Sequence, residues 1–219
     1  MKNGMTYRDL IVDRMRSYDF GVPIYTSMLA QSLATEFGLS RKKASAAAAV
    51  AVKRLIDGGG MAELRFFQKG VYYRAKMTPF GETGIDKEAL IADKYLAGDN
   101  GYETGPALLH RMGLTTQVPA QRIFATNKAA SCIRADKALG ILICPPKVPV
   151  DGANKRYLQM LDAIAAMGKA PVDADHPYRL IAGHIQRNGL DYGELLSIAG
   201  KHYSRNTVLA LAQIAGERG

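Results

Sequence analysis

The order of hydrophobic patterns along the chain predicts an α+β protein built as two modules. Three helical periods are followed by a pair of short aromatic-rich runs within the first third. Helical and strand-like segments then mix through the remainder. The charge distribution divides the chain in the same way. Residues 1–80 hold thirteen Lys/Arg against six Asp/Glu, whereas residues 81–219 hold sixteen against fourteen. Of the net charge of +9, +7 therefore lies in the first 80 residues. A basic module joined to a nearly neutral one implies an anionic partner for the first.

The first helical stripe runs over Thr6–Tyr18, with Tyr7, Leu10, Ile11, Met15 and Tyr18 on one face, and Gly21 and Pro23 close it. A second helix is expected from Thr26 as N-cap, burying Met28, Leu29, Leu33 and Phe37 and ending at Gly38. A third starts at Ser40 as N-cap and reaches Asp57, burying Ala44, Ala48, Ala51, Leu55 and Ile56. Met61–Phe67 and Val71–Arg74, separated by Gln68-Lys69-Gly70, read as a hairpin. Three helices and a hairpin in this order are those of a winged helix-turn-helix, placed at residues 1–76. Lys76–Ile85, with Pro79, Gly81 and Gly84, reads as a linker to an α/β domain over residues 85–219. There helices are expected near Asp86–Leu96, Gly105–Met112, Asn154–Met167, Pro177–Asn188, Tyr192–His202 and Arg205–Gly216. Strands are expected within Gln121–Thr126 and Ser131–Cys144.

In such a module the second helix of the pair enters the major groove N-terminus first. Here that end reads Ser40-Arg41-Lys42-Lys43-Ala44-Ser45, where free N–H groups and the helix dipole also favour phosphate. Arg41 is the expected base reader, because its fork can bond guanine with two hydrogen bonds. Lys42, Lys43 and Lys53 are expected on phosphates. Lys42, Ala46, Ala49 and Lys53 share a face, and alanines there leave room for a groove wall. The hairpin adds Arg65, Lys69, Tyr72 and Arg74; alternation along a strand sends either Tyr72 or Tyr73 toward the core. A solvated surface can carry the same lysines, and ordinary helix packing the same alanines. The pattern and the charge together point to double-stranded DNA.

From Gly70 onward the chain also resembles a known family. Gly70-Val71-Tyr72-Tyr73-Arg74 and Thr78-Pro79-Phe80-Gly81 resemble the wing and linker of AbiEi-type antitoxins of bacterial abortive-infection systems. The resemblance continues through Gly101-Tyr102-Glu103-Thr104-Gly105-Pro106-Ala107-Leu108-Leu109 and Gly113-Leu114-Thr115-Thr116-Gln117-Val118-Pro119-Ala120, to Ala125-Thr126-Asn127. It is strongest over residues 60–127 and loose over 145–219. It implies a winged helix that binds operator repeats and represses its own operon. It further implies a C-terminal domain opposing a nucleotidyltransferase toxin without a stable complex, as in type IV systems. The other reading is a stand-alone sequence-specific regulator whose second domain dimerises or senses a ligand.

Enzyme chemistry is not expected. His110, His176, His184 and His202 form no His-Glu-x-x-His pattern, and Cys132 and Cys144 lack zinc spacing. Asp173 and Asp175 could hold magnesium in a nucleotidyltransferase, but the run before them, Lys169-Ala170-Pro171-Val172, lacks a Gly-Ser turn. They are expected to cap the helix at Pro177. No metal or cofactor is implied. The charged opening residues and the lack of an apolar run of about 18 residues predict a cytoplasmic protein without a membrane span. The two cysteines are expected to be buried free thiols.

Overall fold

The computed structural model describes residues 4–217. They divide into two compact units, one ending at Leu90 and the other beginning at Ile91. Among the described residues no helix is long and apolar enough to cross a membrane.

The first unit opens with α1 (Tyr7–Arg16), held at its start by a reciprocal cap between Thr6 and Asp9. β1 (Ile24–Tyr25) leads directly into α2 (Thr26–Phe37). Thr26 is therefore the first helical residue. Tyr25 occupies the N-cap, its backbone extended in strand pairing, and its side chain does not cap the helix. Gly38 ends α2 at φ 63°. α3 (Arg41–Asp57) starts at Ser40, whose hydroxyl accepts from the Lys43 amide at 3.4 Å.

The core gathers Leu10, Ile11 and Met15 with Leu29, Leu33, Ala44, Ala48, Val52 and Leu55. The buried alanines of α3 carry nothing beyond Cβ and let the helices pack closely. Val52 replaces Ile56 in the expected buried face. Ile56 lies one step further round the helix and is 37% exposed. Met28 likewise points to solvent, and Tyr7 instead packs edge-on against Phe37.

β2 (Leu64–Gln68) and β3 (Val71–Arg74) form the expected hairpin, with Gly70 at φ 79° in its turn. β1 adds to the other side of β3, giving an antiparallel sheet in the order β1-β3-β2. The segment read as a linker is a second small hairpin of β4 (Met77–Thr78) and β5 (Gly81–Glu82). It is closed by the Thr78 hydroxyl donating to the Gly81 carbonyl at 2.7 Å. Beyond it, the Asp86 amide donates to the Gly21 carbonyl and the Gly21 amide to the Arg74 carbonyl, each at 2.8 Å. α4 (Lys87–Ile91) follows.

The second unit continues through a π-helical turn at Ala92–Leu96 and a 3-10 turn at Ala97–Asp99. Its sheet comprises β6 (Gly101–Thr104), β7 (Arg122–Thr126), β8 (Arg134–Asp136) and β9 (Ile141–Cys144). The order is β6-β7-β9-β8, with β7 and β9 parallel and the other pairs antiparallel. α5 (Pro106–Arg111) lies between β6 and β7. α6 (Lys155–Met167), α7 (Pro177–Arg187), α8 (Tyr192–His202) and α9 (Arg205–Gly216) complete the unit.

Leu109, Leu161, Ile164, Ile181, Ile185, Leu195 and Ile214 form the helical core, while Tyr102, Ala125, Val150 and Leu158 join the sheet to α6. At that junction the Asp162 carboxylate accepts from the hydroxyls of Tyr102 at 3.1 Å, Thr104 at 3.0 Å and Tyr203 at 2.8 Å. Burial pushes its carboxyl above the ordinary range, and the three hydroxyls only partly offset this. Cys132 is exposed and Cys144 half-buried, so neither is the fully buried thiol expected; both are unpaired. Cys132 lies in an irregular, exposed segment before β8.

Candidate nucleic-acid interface

The N-terminal end of α3 presents a continuous exposed surface. Arg41, Lys42, Lys43 and Ser45 are all exposed in its first turns, and Lys53 lies exposed further along. Among the described residues none of these four cations has an ion-pair partner, and the first turn holds no acidic residue. Ala46, Ala49 and Val50 are exposed between them, so Ala46 and Ala49 are not helix-packing positions. Their small side chains give a low ridge bordered by cations. Beside it Thr6, Tyr7 and Arg8 face Ala46, Ala47, Val50, Ala51 and Arg54 across a shallow apolar groove of about 480 Å³. Arg54 was not singled out by periodicity, because it falls next to Leu55 at the C-terminal end of α3. Its exposure could have been inferred from its place one turn after Val50.

The hairpin residues separate into two groups. Lys69 is exposed at the turn, next to Gly70. Arg65 is not free: its guanidinium bonds the Glu82 carboxylate at 2.5 and 3.2 Å and donates to the carbonyls of Ala62 and Leu64. Arg74 is turned inward. It donates to the carbonyls of Arg16 and Tyr18, both at 2.8 Å, pairs with Glu63 at 3.5 Å and stacks over Phe20 at 4.4 Å. Its charge ties the end of α1 to the sheet. Tyr72 is half-buried against the first core and meets Phe66 edge-on at 5.6 Å, a cross-strand pair. Arg65, Tyr72 and Arg74 thus serve the unit's own structure, and Ser40, Arg41, Lys42, Lys43, Ser45, Lys53 and Lys69 form the accessible set.

The acidic pair of the second unit also differs from expectation. Asp173 accepts from the Thr116 amide at 2.9 and 3.1 Å and from its hydroxyl at 2.6 Å. These bonds hold its carboxyl below the ordinary range. It fastens the Leu114–Ala120 segment rather than capping α7, whose N-cap His176 makes no side-chain bond. Among the described residues no three His, Cys, Asp or Glu gather as a metal-binding group. His110 is exposed on α5. Compared with known protein families, curated proteins and solved structures, the chain has no match.

Proposed function

We propose that the first unit is a winged helix-turn-helix that binds duplex DNA through α3, and that the chain is the antitoxin and autorepressor of an AbiE-like type IV system. The observation that carries the DNA-binding reading is the capped start of α3. Arg41, Lys42 and Lys43 stand exposed and unpaired beside the exposed alanine ridge. The uncapped amides of the first turn, three full positive charges and a surface low enough for close approach suit a phosphate-lined groove. The antitoxin role rests on the resemblance of residues 60–127 to AbiEi-type antitoxins. On that reading the second unit opposes a nucleotidyltransferase toxin without a lasting complex, and the protein has no catalytic activity of its own.

The test has two arms. Fluorescence anisotropy with the duplex upstream of the gene should show Arg41→Ala reducing discrimination between that duplex and a scrambled one. Lys53→Ala should weaken both about equally. Wild-type binding by both variants would refute the α3 assignment. In the second arm the adjacent open reading frame is expressed in a bacterial host alone and with the full chain. Toxicity relieved by the chain supports the antitoxin role; a harmless neighbour leaves a stand-alone regulator.

A further inference from the structure

The second unit carries a cationic cleft that the DNA-binding reading does not use. It is bounded by Leu108, Arg111 and Met112 of α5 and its end, by Arg156, Gln159 and Met160 of α6, and by His184, Asn188 and Leu190 around the end of α7. Its volume is about 210 Å³, and no acidic side chain lines it.

One of its two arginines is anchored by an ion pair behind it. Glu103, only 6% exposed on β6, accepts from Arg111 on one oxygen and from Arg122 at 2.5 Å on the other. Arg122 is further braced over the Phe124 ring at 4.9 Å. The Glu103 carboxylate thus anchors Arg111 beside the cleft, where its side chain stays more than half exposed. Arg156 is exposed at the start of α6 and has no acidic partner among the described residues. The Gln159 amide donates to the Glu103 carbonyl at 3.0 Å and holds the α6 wall against β6. His184 Nε2 donates to the Met112 carbonyl at 3.0 Å, and Asn188 donates to the His184 carbonyl at 2.8 Å, which fixes the α7 wall.

We propose that this cleft binds a terminal phosphate monoester. Two guanidiniums at the mouth of an acid-free concavity suit a dianion better than a singly charged carboxylate, and their planar forks match phosphate oxygens. The volume lies below the range of about 300–1,000 Å³ typical of sites that enclose whole organic ligands. The cleft therefore takes the phosphate and at most its adjoining sugar. The monoester could come from a free nucleotide or from the 5′ end of a nucleic-acid strand, and the chemistry is the same in both. The inference uses only the second unit and stands apart from the α3 assignment.

The test is isothermal titration of the full-length protein with inorganic phosphate, a ribonucleoside 5′-monophosphate, and a short oligoribonucleotide with or without a 5′ phosphate. Phosphate and its monoesters are expected to bind, and the 5′-hydroxyl strand to bind at least tenfold more weakly than its phosphorylated form. Arg156→Gln should weaken every phosphorylated probe about tenfold, the loss of one charge-assisted contact. Arg156→Lys should recover part of it. Glu103→Gln should tighten binding by releasing Arg111. If that variant unfolds, the Arg156 pair still decides. Lys201→Gln, at an exposed position of α8, should change nothing. Equal affinity of monophosphate and 5′-phosphorylated strand assigns the site to nucleotides, and preference for the strand assigns it to chain ends; both support the cleft. Absence of binding at millimolar phosphate, wild-type affinity in Arg156→Gln, or an equal loss in Lys201→Gln would overturn it.

Discussion

The salt dependence of DNA binding distinguishes the accessible cations from those engaged internally. Seven cations were expected at the interface: Arg41, Lys42, Lys43, Lys53, Arg65, Lys69 and Arg74. The structure leaves Arg41, Lys42, Lys43, Lys53 and Lys69 without an acidic partner and engages Arg65 with Glu82 and Arg74 with Glu63. Each phosphate neutralised contributes about −0.9 to the slope of log K against log salt. Five contacts give a slope of about −4.5, a roughly 500-fold loss of affinity between 50 and 200 mM salt; seven would give about −6.3 and a loss of roughly 6,000-fold. The perturbation is removal of the whole pair, Arg65→Ala with Glu82→Ala, which keeps net charge constant. Both partners are more than a third exposed, so solvent screens the pair and its removal should leave the fold intact. Anisotropy titrations across that salt range should give the double variant the wild-type slope, whereas Lys53→Ala should flatten it by about 0.9. A wild-type slope near −6, or an equal flattening in the double variant, would refute the reasoning.

Three further outcomes concern stability, each read by urea denaturation. Asp162→Ala strands the hydroxyls of Tyr102 and Thr104, leaves Tyr203 only the Leu158 carbonyl at 3.4 Å, and should cost about 2–4 kcal/mol, while Asp162→Asn keeps an acceptor and should cost far less. Because burial raises the Asp162 pKa in the folded state, its contribution is fully present below about pH 3.9 and is lost as pH rises through the folded value. Asp162→Asn should flatten that part of the stability–pH curve, and an unchanged curve would count against it. Arg74→Ala removes two carbonyl contacts and the Phe20 stack and should cost about 2–3 kcal/mol, with Arg74→Lys recovering little of it. Gly101→Ala would bring a Cβ within 2.6 Å of the Ala125 carbonyl and 2.7 Å of the Tyr95 carbonyl, both backbone, and should cost at least about 2 kcal/mol.

What could be read in advance was local. The Ser40 cap, the Gly38 stop and the Lys69-Gly70 turn act over three or four residues, and each lies where the pattern places it. What escaped depends on partners distant in the chain. β1 exists only because Ile24 and Tyr25 meet Tyr72 and Val71. β6 shows no alternation because all four of its residues are buried, so its pattern announces no exposed face. Likewise nothing near Arg74 says that its acceptors are Arg16 and Tyr18, and nothing near Asp173 points to Thr116. The α3 surface was legible because helix geometry alone sets it. The Arg111–Arg156 cleft was not, because three separate helices assemble it.

The second hairpin of the first unit has a practical consequence. Phe80, at its tip, is 101% exposed and offers an aromatic cleavage point to a chymotrypsin-like protease. The peptide beyond the cut would stay attached through Arg65 and Glu82, through the Lys76 amide on the Thr83 hydroxyl at 3.0 Å, and through Asp86 on Gly21. The nicked chain should therefore migrate as one species under native conditions and as two fragments once denatured. Cleavage mapping would then place a domain boundary inside the first unit, well before its end at Leu90.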